Sequence, residues 1–360
     1  MFMAKREMTS QERVRTAIAR KIPDRVPIHD SPWEATLRRW YKEGFPEGEK
    51  PEDYFGYEFC LIGADTSPRF PSKVLEKNEE YIIESTPEGG IRRNHRDRST
   101  TPEIIDCPIK QKDDWLKIKE RLKPDFKRVD WATNWKTYQQ AREKGLYIAF
   151  GAASGYDLLQ SYVKSEQLLL YMAEDPEWIK EMVDTFSDLI ITMGKMMYDE
   201  GFKFDGIWVF NDMGYRNSSL FSPAMYDEII GPSDKKRNDF FHNLGMQTLL
   251  HSCGNVKGLI PSLIKNGFDC LQPLEVKAGM DLKELKIQFG NQIALFGGID
   301  TRLMEDPDDS KIENEIREKF AIAKPGGGYI YHSDHSIPLD VSFKKYKFVM
   351  ECVKKYGSYD

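Results

Sequence analysis

From about Trp115 to the C-terminus, short runs of β-branched and aromatic residues alternate with longer stretches whose apolar positions recur every three to four residues. The short runs are LYIAFGA, FDGIWVFND, MQTLLHSC, FDCLQPLE, IALFGGID and GGYIYHSD. Among the longer stretches, PEWIKEMVDTFSDLIITMGKMMYDEG carries a clear helical period, and SFKKYKFVMECVKKYG is an amphipathic helix with a glycine stop. Strands alternating with helices predict a parallel sheet with right-handed crossovers. At the other end of the chain, TSQERVRTAIARKIPDRVPI reads as a helix capped by Thr9 or Ser10, a proline-bounded turn, and a first strand ending at His29 and Asp30. One more strand between 55 and 85 brings the count to about eight, as a closed barrel requires. The expected class is therefore α/β, a (β/α)8 TIM barrel with an N-terminal helical extension. A doubly wound open sheet is the runner-up, and no GxGxxG turn follows the first strand to support a dinucleotide-binding version of it.

Between Pro51 and about Asp114 the pattern changes to short β-like pieces such as EEYIIES, broken by Thr-Pro, Gly-Gly and the charged run IRRNHRDRST. This stretch, 51–114, reads as a β-hairpin-rich insertion or lid on a single domain spanning 1–360. A chain of 360 residues, 40% hydrophobic and 31% charged, is large enough to bury a core and hold a preorganised site.

The net charge of -6 is spread without a basic stripe, which argues against nucleic acid and anionic membranes as partners. No stretch approaches the ~20 apolar residues of a membrane span, and MFMAKREMTS lacks the apolar core of a signal peptide. A cytoplasmic protein with small-molecule or protein partners is expected, and a homodimer is compatible with this. Five widely spaced cysteines in a chain this long point to reduced thiols rather than a disulfide framework.

Polar residues fall at the ends of the apolar runs: Asp30, Asp212, His251 with Cys253, Glu275, Asp300, and His332 with Asp334 and His335. In a (β/α)8 barrel those strand ends converge on one mouth. His251 and Cys253 are two residues apart, so on an extended strand both face the same side, and Gly254 lets the backbone turn away beyond them. Such a pair can grip one metal ion. A catalytic zinc takes three protein ligands of thiolate, imidazole or carboxylate type and keeps a position open. His335 is a geometrically reasonable third ligand and Glu275 an exchangeable fourth; His332 and Asp334 compete with His335, and Asp334 can instead accept from a ligand imidazole. Asp212 suits a substrate-orienting carboxylate, a general acid or base, or a helix N-cap. Gly297 and Gly298 before Asp300 allow close approach of a bulky cofactor or a tight bend. Tyr215, Arg216 and Phe221 are candidate pocket residues, with His29, Asp30 and Trp33 on the opposite wall.

Four segments, TSQERVRTAIARKIPDRVPI, HSCGNV, LFGGID and HSDHSIP, resemble the uroporphyrinogen decarboxylase superfamily, and within it the cobalamin-dependent methyltransferase branch. The resemblance runs over nearly the whole chain, and HSCGN is its most specific motif. It implies a (β/α)8 barrel, a zinc ion on His251 and Cys253 with Glu275 as an additional ligand, and a corrinoid (cobalamin) supplied by a partner protein. It implies a small methylated donor or acceptor. The branch has a further Cys near the C-terminus, where this chain reads SDHSIP, so His335 would stand in for that thiolate. A site with one fewer thiolate is a stronger Lewis acid, suited to polarising the oxygen or nitrogen of a methyl donor. True uroporphyrinogen decarboxylases are metal-free and carry an arginine-containing phenylalanine-proline-arginine signature near the first strand. Here that region reads RVPIHDSPWEATLRRW, which makes porphyrin decarboxylation the alternative. No segment resembles the DxHxxG cobalamin-binding module.

Overall fold

The computed structural model describes residues 6–97 and 101–359. Eleven strands occur among them: β1 (Phe59–Gly63), β2 (Val74–Lys77), β3 (Tyr81–Ser85), β4 (Ile91–His95), β5 (Glu103–Asp106), β6 (Tyr147–Ala153), β7 (Gly206–Phe210), β8 (Gln247–His251), β9 (Cys270–Gln272), β10 (Ala294–Phe296) and β11 (Tyr329–Ile330). Strands β1, β6, β7, β8, β9, β10 and β11 are neighbours in that order and pair in parallel throughout. The six runs read from the sequence as strands downstream of Trp115 are β6 to β11.

The two edges of this seven-stranded sheet are brought together by the segment 26–29. Ile28 bridges to Tyr331, Tyr331 N–H donates to Pro27 O (2.9 Å) and His29 N–H to Tyr331 O (3.1 Å). On the other side Glu58 N–H donates to Ile28 O (2.9 Å). A parallel sheet curled until one extended segment touches both edges is consistent with a TIM-like barrel.

Alternation along the strands divides each into a lumenal and an outer set. Phe59, Tyr147, Trp208, Leu249, Phe296 and Ile330 belong to one buried lumenal cluster, and Val14, Ala17 and Ile18 join it. Those three lie on the helix Ser10–Ile18, which begins with a Thr9–Glu12 capping box. Its partners Gly145, Asp205 and Gln247 stand at the N-terminal ends of β6, β7 and β8, so the helix plugs the end of the barrel opposite the strand C-termini. Outside the sheet, the helix Pro176–Asp199 starts on a proline and buries Ile179, Met182, Val183, Phe186, Ile190, Met193 and Met197, a stripe at helical spacing.

Strands β2 to β5 form a separate four-stranded antiparallel sheet within 74–106, inside the stretch read as an insertion. The same stretch contains the helix Pro51–Phe55 and β1, and β1 is an edge of the parallel sheet. No helix among the described residues is long and apolar enough to cross a membrane.

A buried ionic cluster joins the plug to the closing segment. The side chains of Arg13 and Glu58 are 2% and 1% exposed and donate and accept in a short contact. Glu58 also accepts from Arg25 (3.0 Å) and from Ile28 N–H (2.6 Å), and Arg13 Nε donates to Asp24 (2.6 Å). Removing one partner of such a cluster strands a buried charge, so Arg13→Met should lower unfolding free energy by roughly 3–5 kcal/mol in a urea titration. Burial alone would raise the Asp24 carboxyl, but donation from Arg13 and from the Met8 and Arg25 amides outweighs it and holds it at about 2. A carboxyl depressed in the folded state stabilises above its unfolded pKa and loses that contribution as pH falls, so stability should drop between about pH 4 and pH 2. Arg13→Met should flatten that drop; an unchanged urea midpoint would show that the cluster does not hold the plug.

Candidate metal centre

The C-terminal ends of the parallel strands turn the lumen from apolar to polar. Phe210, His251 and Gln272 are the last residues of β7, β8 and β9 and are register partners across the sheet, Phe210 with His251 and His251 with Gln272. Side chains at matched register on adjacent parallel strands face the same way, so the His251 and Gln272 side chains meet in the lumen.

Beyond β8 the turn Ser252–Asn255 packs backbone to backbone on the loop that follows β7. Gly214 N–H donates to Cys253 O (3.2 Å) and Asn255 N–H to Tyr215 O (2.7 Å). The approach requires glycine on both sides. Gly254 has φ 78°, and a Cβ there would stand 2.4 Å from the Gly214 carbonyl carbon, while a Cβ on Gly214 would stand 2.4 Å from Cys253 O. This contact delivers Asp212 to the HxC turn, where its Oδ1 accepts from Cys253 N–H at 2.7 Å.

Among the described residues, Asp212, His251 and Cys253 form one group whose ligand atoms lie within 4.8 Å of one another. His251 Nε2 is 3.5 Å from Cys253 Sγ and 3.5 Å from Asp212 Oδ1. Zinc–ligand bonds of 2.0–2.3 Å at tetrahedral angles put ligand atoms about 3.5 Å apart, so the spacing suits such an ion. The electrostatics point the same way. Burial, together with the negative charges of Asp212, Glu275 and Asp157, pushes the Cys253 thiol well above its usual range. Burial pushes the His251 imidazole down, against the pull of Asp212 and Gln272. A neutral imidazole and a thiol surrounded by carboxylates need a cation to yield a thiolate. The donors therefore fit a divalent metal.

The other candidate residues are distributed as follows. Glu275 accepts from Gly254 N–H (2.6 Å) and pairs with Lys277 (3.3 Å), which places it beside the turn but outside the three-residue group. His335 also lies outside the group. Asp334 accepts from Thr301 N–H and Oγ (both 3.0 Å) and from Val276 N–H (3.0 Å), pinning the loop after β11 to its neighbours. His335 leaves that clamp to stack on Trp33, with ring centroids 6.1 Å apart. His332 faces the lumen, with Nδ1 2.6 Å from Ser333 O. Asp30 is buried and saturated by Ser333 Oγ (2.5 Å), Tyr346 OH (3.0 Å) and Tyr331 OH (3.2 Å). His29 lies among Tyr57, Phe59, Trp208, Phe296 and His332, and desolvation with the nearby His332 pushes its imidazole down to about 3. Gly298 O accepts from Lys319, and Asp300 caps the helix Thr301–Glu305 while pairing with Arg302 (2.6 Å), so both are engaged in local structure. Phe221 is buried against Tyr156, 5.3 Å between centroids.

Tyr215, Arg216, Asn217, Cys253, Glu275 and Lys277 line an open cavity of about 650 Å³ beside the Asp212–His251–Cys253 group. Tyr215, 59% exposed, and Arg216 form its outer rim. Two polar residues of the region were not singled out in the sequence. Gln272 ends the apolar run CLQ, and its lumenal phase follows from being two residues after Cys270. Asp157, after β6, has its carboxyl raised to about 7 by burial and by the charge of Asp212.

Residues 97–356 match the uroporphyrinogen decarboxylase (URO-D) family, and the chain belongs to it. It is 23% identical over 154 residues to the methylated-thiol–coenzyme M methyltransferase of Methanosarcina mazei, a match covering 42% of this chain and 39% of that relative. The chain is thus aligned with well under half of that protein's length. A solved methyltransferase from Methanosarcina mazei shares the fold, with a TM-score of 0.68 at 16% identity over 97% of this chain and 99% of that one.

Elemental analysis of protein purified without added metal should find about one zinc per chain, as expected of a three-ligand site. His251→Ala and Cys253→Ala should abolish it, Asp212→Asn should deplete it, and His335→Ala should retain it. Depletion by His335→Ala but not by Asp212→Asn would move the third ligand to the loop after β11.

Proposed function

We propose that the chain is a zinc-dependent methyltransferase that moves a methyl group between a small O- or N-methylated substrate and a corrinoid carried by a partner protein. The observation that carries this reading is the Asp212–His251–Cys253 group at the open end of the parallel sheet. Membership of the URO-D family and the two Methanosarcina mazei methyltransferases support it.

Within the proposal, His251 contributes a neutral imidazole, Cys253 a thiolate once its proton is lost, and Asp212 a carboxylate. Bound zinc would supply Lewis acidity toward the oxygen or nitrogen that carries the methyl group. A carboxylate is a harder and less electron-rich donor than a second thiolate, so this set keeps that acidity high. Glu275, held on the Gly254 amide, is available as an exchangeable ligand or as the group that handles the leaving group's proton. The cavity rimmed by Tyr215, Arg216 and Lys277 receives the small substrate, and its openness leaves room for a corrinoid protein to dock at the mouth. We read the chain as one cytoplasmic domain.

Metal-free decarboxylation centred on Asp212 is the second reading, favoured by the family to which the chain belongs. Incubating the zinc-loaded enzyme with cob(I)alamin and a panel of methyl ethers and methylamines decides between them. Methylcobalamin should form, detected by its absorption spectrum, and Cys253→Ala should reduce the rate by at least about 100-fold, as expected on loss of a metal ligand. Absence of methylcobalamin with every donor, in protein that also takes up no zinc, would discard the methyltransferase reading.

A further inference from the structure

We infer that Gln272 is a positioning residue that fixes the ring tautomer of His251, holding Nε2 bare and turned toward Cys253 and Asp212. The inference builds on the reading of His251 as a metal ligand. Gln272 is 3% exposed and stands beside His251 in register at the ends of β9 and β8. Its Oε1 is 2.5 Å from His251 Nδ1, and its Nε2 is 3.4 Å from His332 Nε2. His332 in turn places Nδ1 2.6 Å from the backbone oxygen of Ser333.

The polarity of this chain of contacts follows from its far end. A backbone carbonyl only accepts, so the His332 tautomer that satisfies it carries its proton on Nδ1 and presents a bare Nε2. The Gln272 amide must then direct its NH2 toward His332, which turns its carbonyl oxygen to His251. That oxygen requires a proton on His251 Nδ1, and His251 Nε2 is left as the ligand atom, 3.5 Å from both Sγ and Oδ1. Reversing the amide would set its NH2 against His251 Nδ1, move the ring proton to Nε2 and block the ligand position. It would also set the Gln272 oxygen against a bare His332 nitrogen. Asp30 Oδ1, 3.7 Å from His332 Nε2, is beyond hydrogen-bond reach and is already saturated. One main-chain carbonyl at the end of β11 therefore sets the direction of a relay that ends at the proposed metal position three strands away.

Metal-free, full-length protein labelled with 15N-histidine tests this through long-range 1H–15N correlations, which distinguish the two ring nitrogens. The chain has six histidines, and the His251 signals are assigned from their loss in His251→Ala. Wild-type protein should show His251 protonated on Nδ1. Gln272→Met, which removes the acceptor at similar size, should shift it toward the Nε2–H form and weaken zinc binding 10–100-fold in chelator competition. Gln272→Glu, which keeps an acceptor, should retain the Nδ1–H form and bind zinc at least as tightly as wild type. A wild-type His251 protonated on Nε2 overturns the inference whether or not the variants fold, and so does a folded Gln272→Met that keeps the Nδ1–H form. Failure of the chain to take up zinc would remove the proposed activity, while the tautomer of the metal-free protein would still decide the role of Gln272.

Discussion

The closing segment 26–29 joins the two edges of the parallel sheet through single bridges, and the mouth depends on it. Pro27 has no N–H to donate, so this segment cannot make a regular two-sided ladder. Its carbonyls accept from Tyr331 and Glu58, while the Ile28 N–H is satisfied by a side chain, the Glu58 carboxylate. That carboxylate is out of water and is stabilised by Arg13 from the plug helix and by Arg25. One buried acid thus does for the seam what a backbone carbonyl does elsewhere, and ties the plug, the closing segment and β1 to a single point. Loosening the seam would separate β11 from its neighbour across the gap. The Asp30–Ser333 contact that orders the loop after β11 would go with it, and so would the alignment of His332 with Gln272.

Above the plug, the lumen changes character within one turn of alternation. Trp208, Leu249 and Cys270 fill the layer beneath, and Phe210, His251 and Gln272 follow two residues later on the same strands. Dispersion and apolar burial stabilise the lower layer. The upper layer is bordered by it and inherits its low polarity, which raises the Cys253 thiol and lowers the His251 imidazole. The same desolvation that favours the core makes a metal-free mouth electrostatically unfavourable, since Asp212, Glu275 and Asp157 gather there without an equal number of cations.

Strand ends were legible because a parallel sheet repeats one grammar, a short apolar run closed by a polar residue. MQTLLHSC and FDGIWVFND announce β8 and β7 and put His251, Cys253 and Asp212 at one end of the sheet. What a linear reading does not contain is which of those ends become lateral neighbours. Asp212 meets Cys253 through the Gly214–Gly254 backbone contact, a relation between two loops that neither segment declares alone. His335 follows the last strand on a loop that Asp334 pins to Thr301 and Val276, and its ring stacks on Trp33 beside, rather than within, the Asp212–His251–Cys253 group. Gln272 stayed hidden because an uncharged amide at the end of CLQP resembles a strand terminus, and its meaning depends on register with β8. The stretch 51–114 was legible as a change of pattern, yet β1 inside it pairs with β6, a contact separated by more than eighty residues of sequence.

The donor set ties these threads to chemistry. A thiolate and a carboxylate together carry the same formal charge as two thiolates, but the carboxylate's charge is held on hard oxygen atoms and is shared here with the Cys253 N–H. Less electron density would reach a bound metal, and a group in an open position on it would be polarised more strongly. Charge supplied through His251 works in the opposite direction to charge withdrawn at Asp212. A Gln272 carbonyl accepting from Nδ1 raises the basicity of Nε2 only slightly, whereas a carboxylate in the same place would raise it much more. On the proposed function, a neutral amide in register with His251 would fix the ring's orientation while leaving the acidity set by Asp212 and Cys253 nearly intact, a combination suited to activating a methyl–oxygen or methyl–nitrogen bond rather than a thiol.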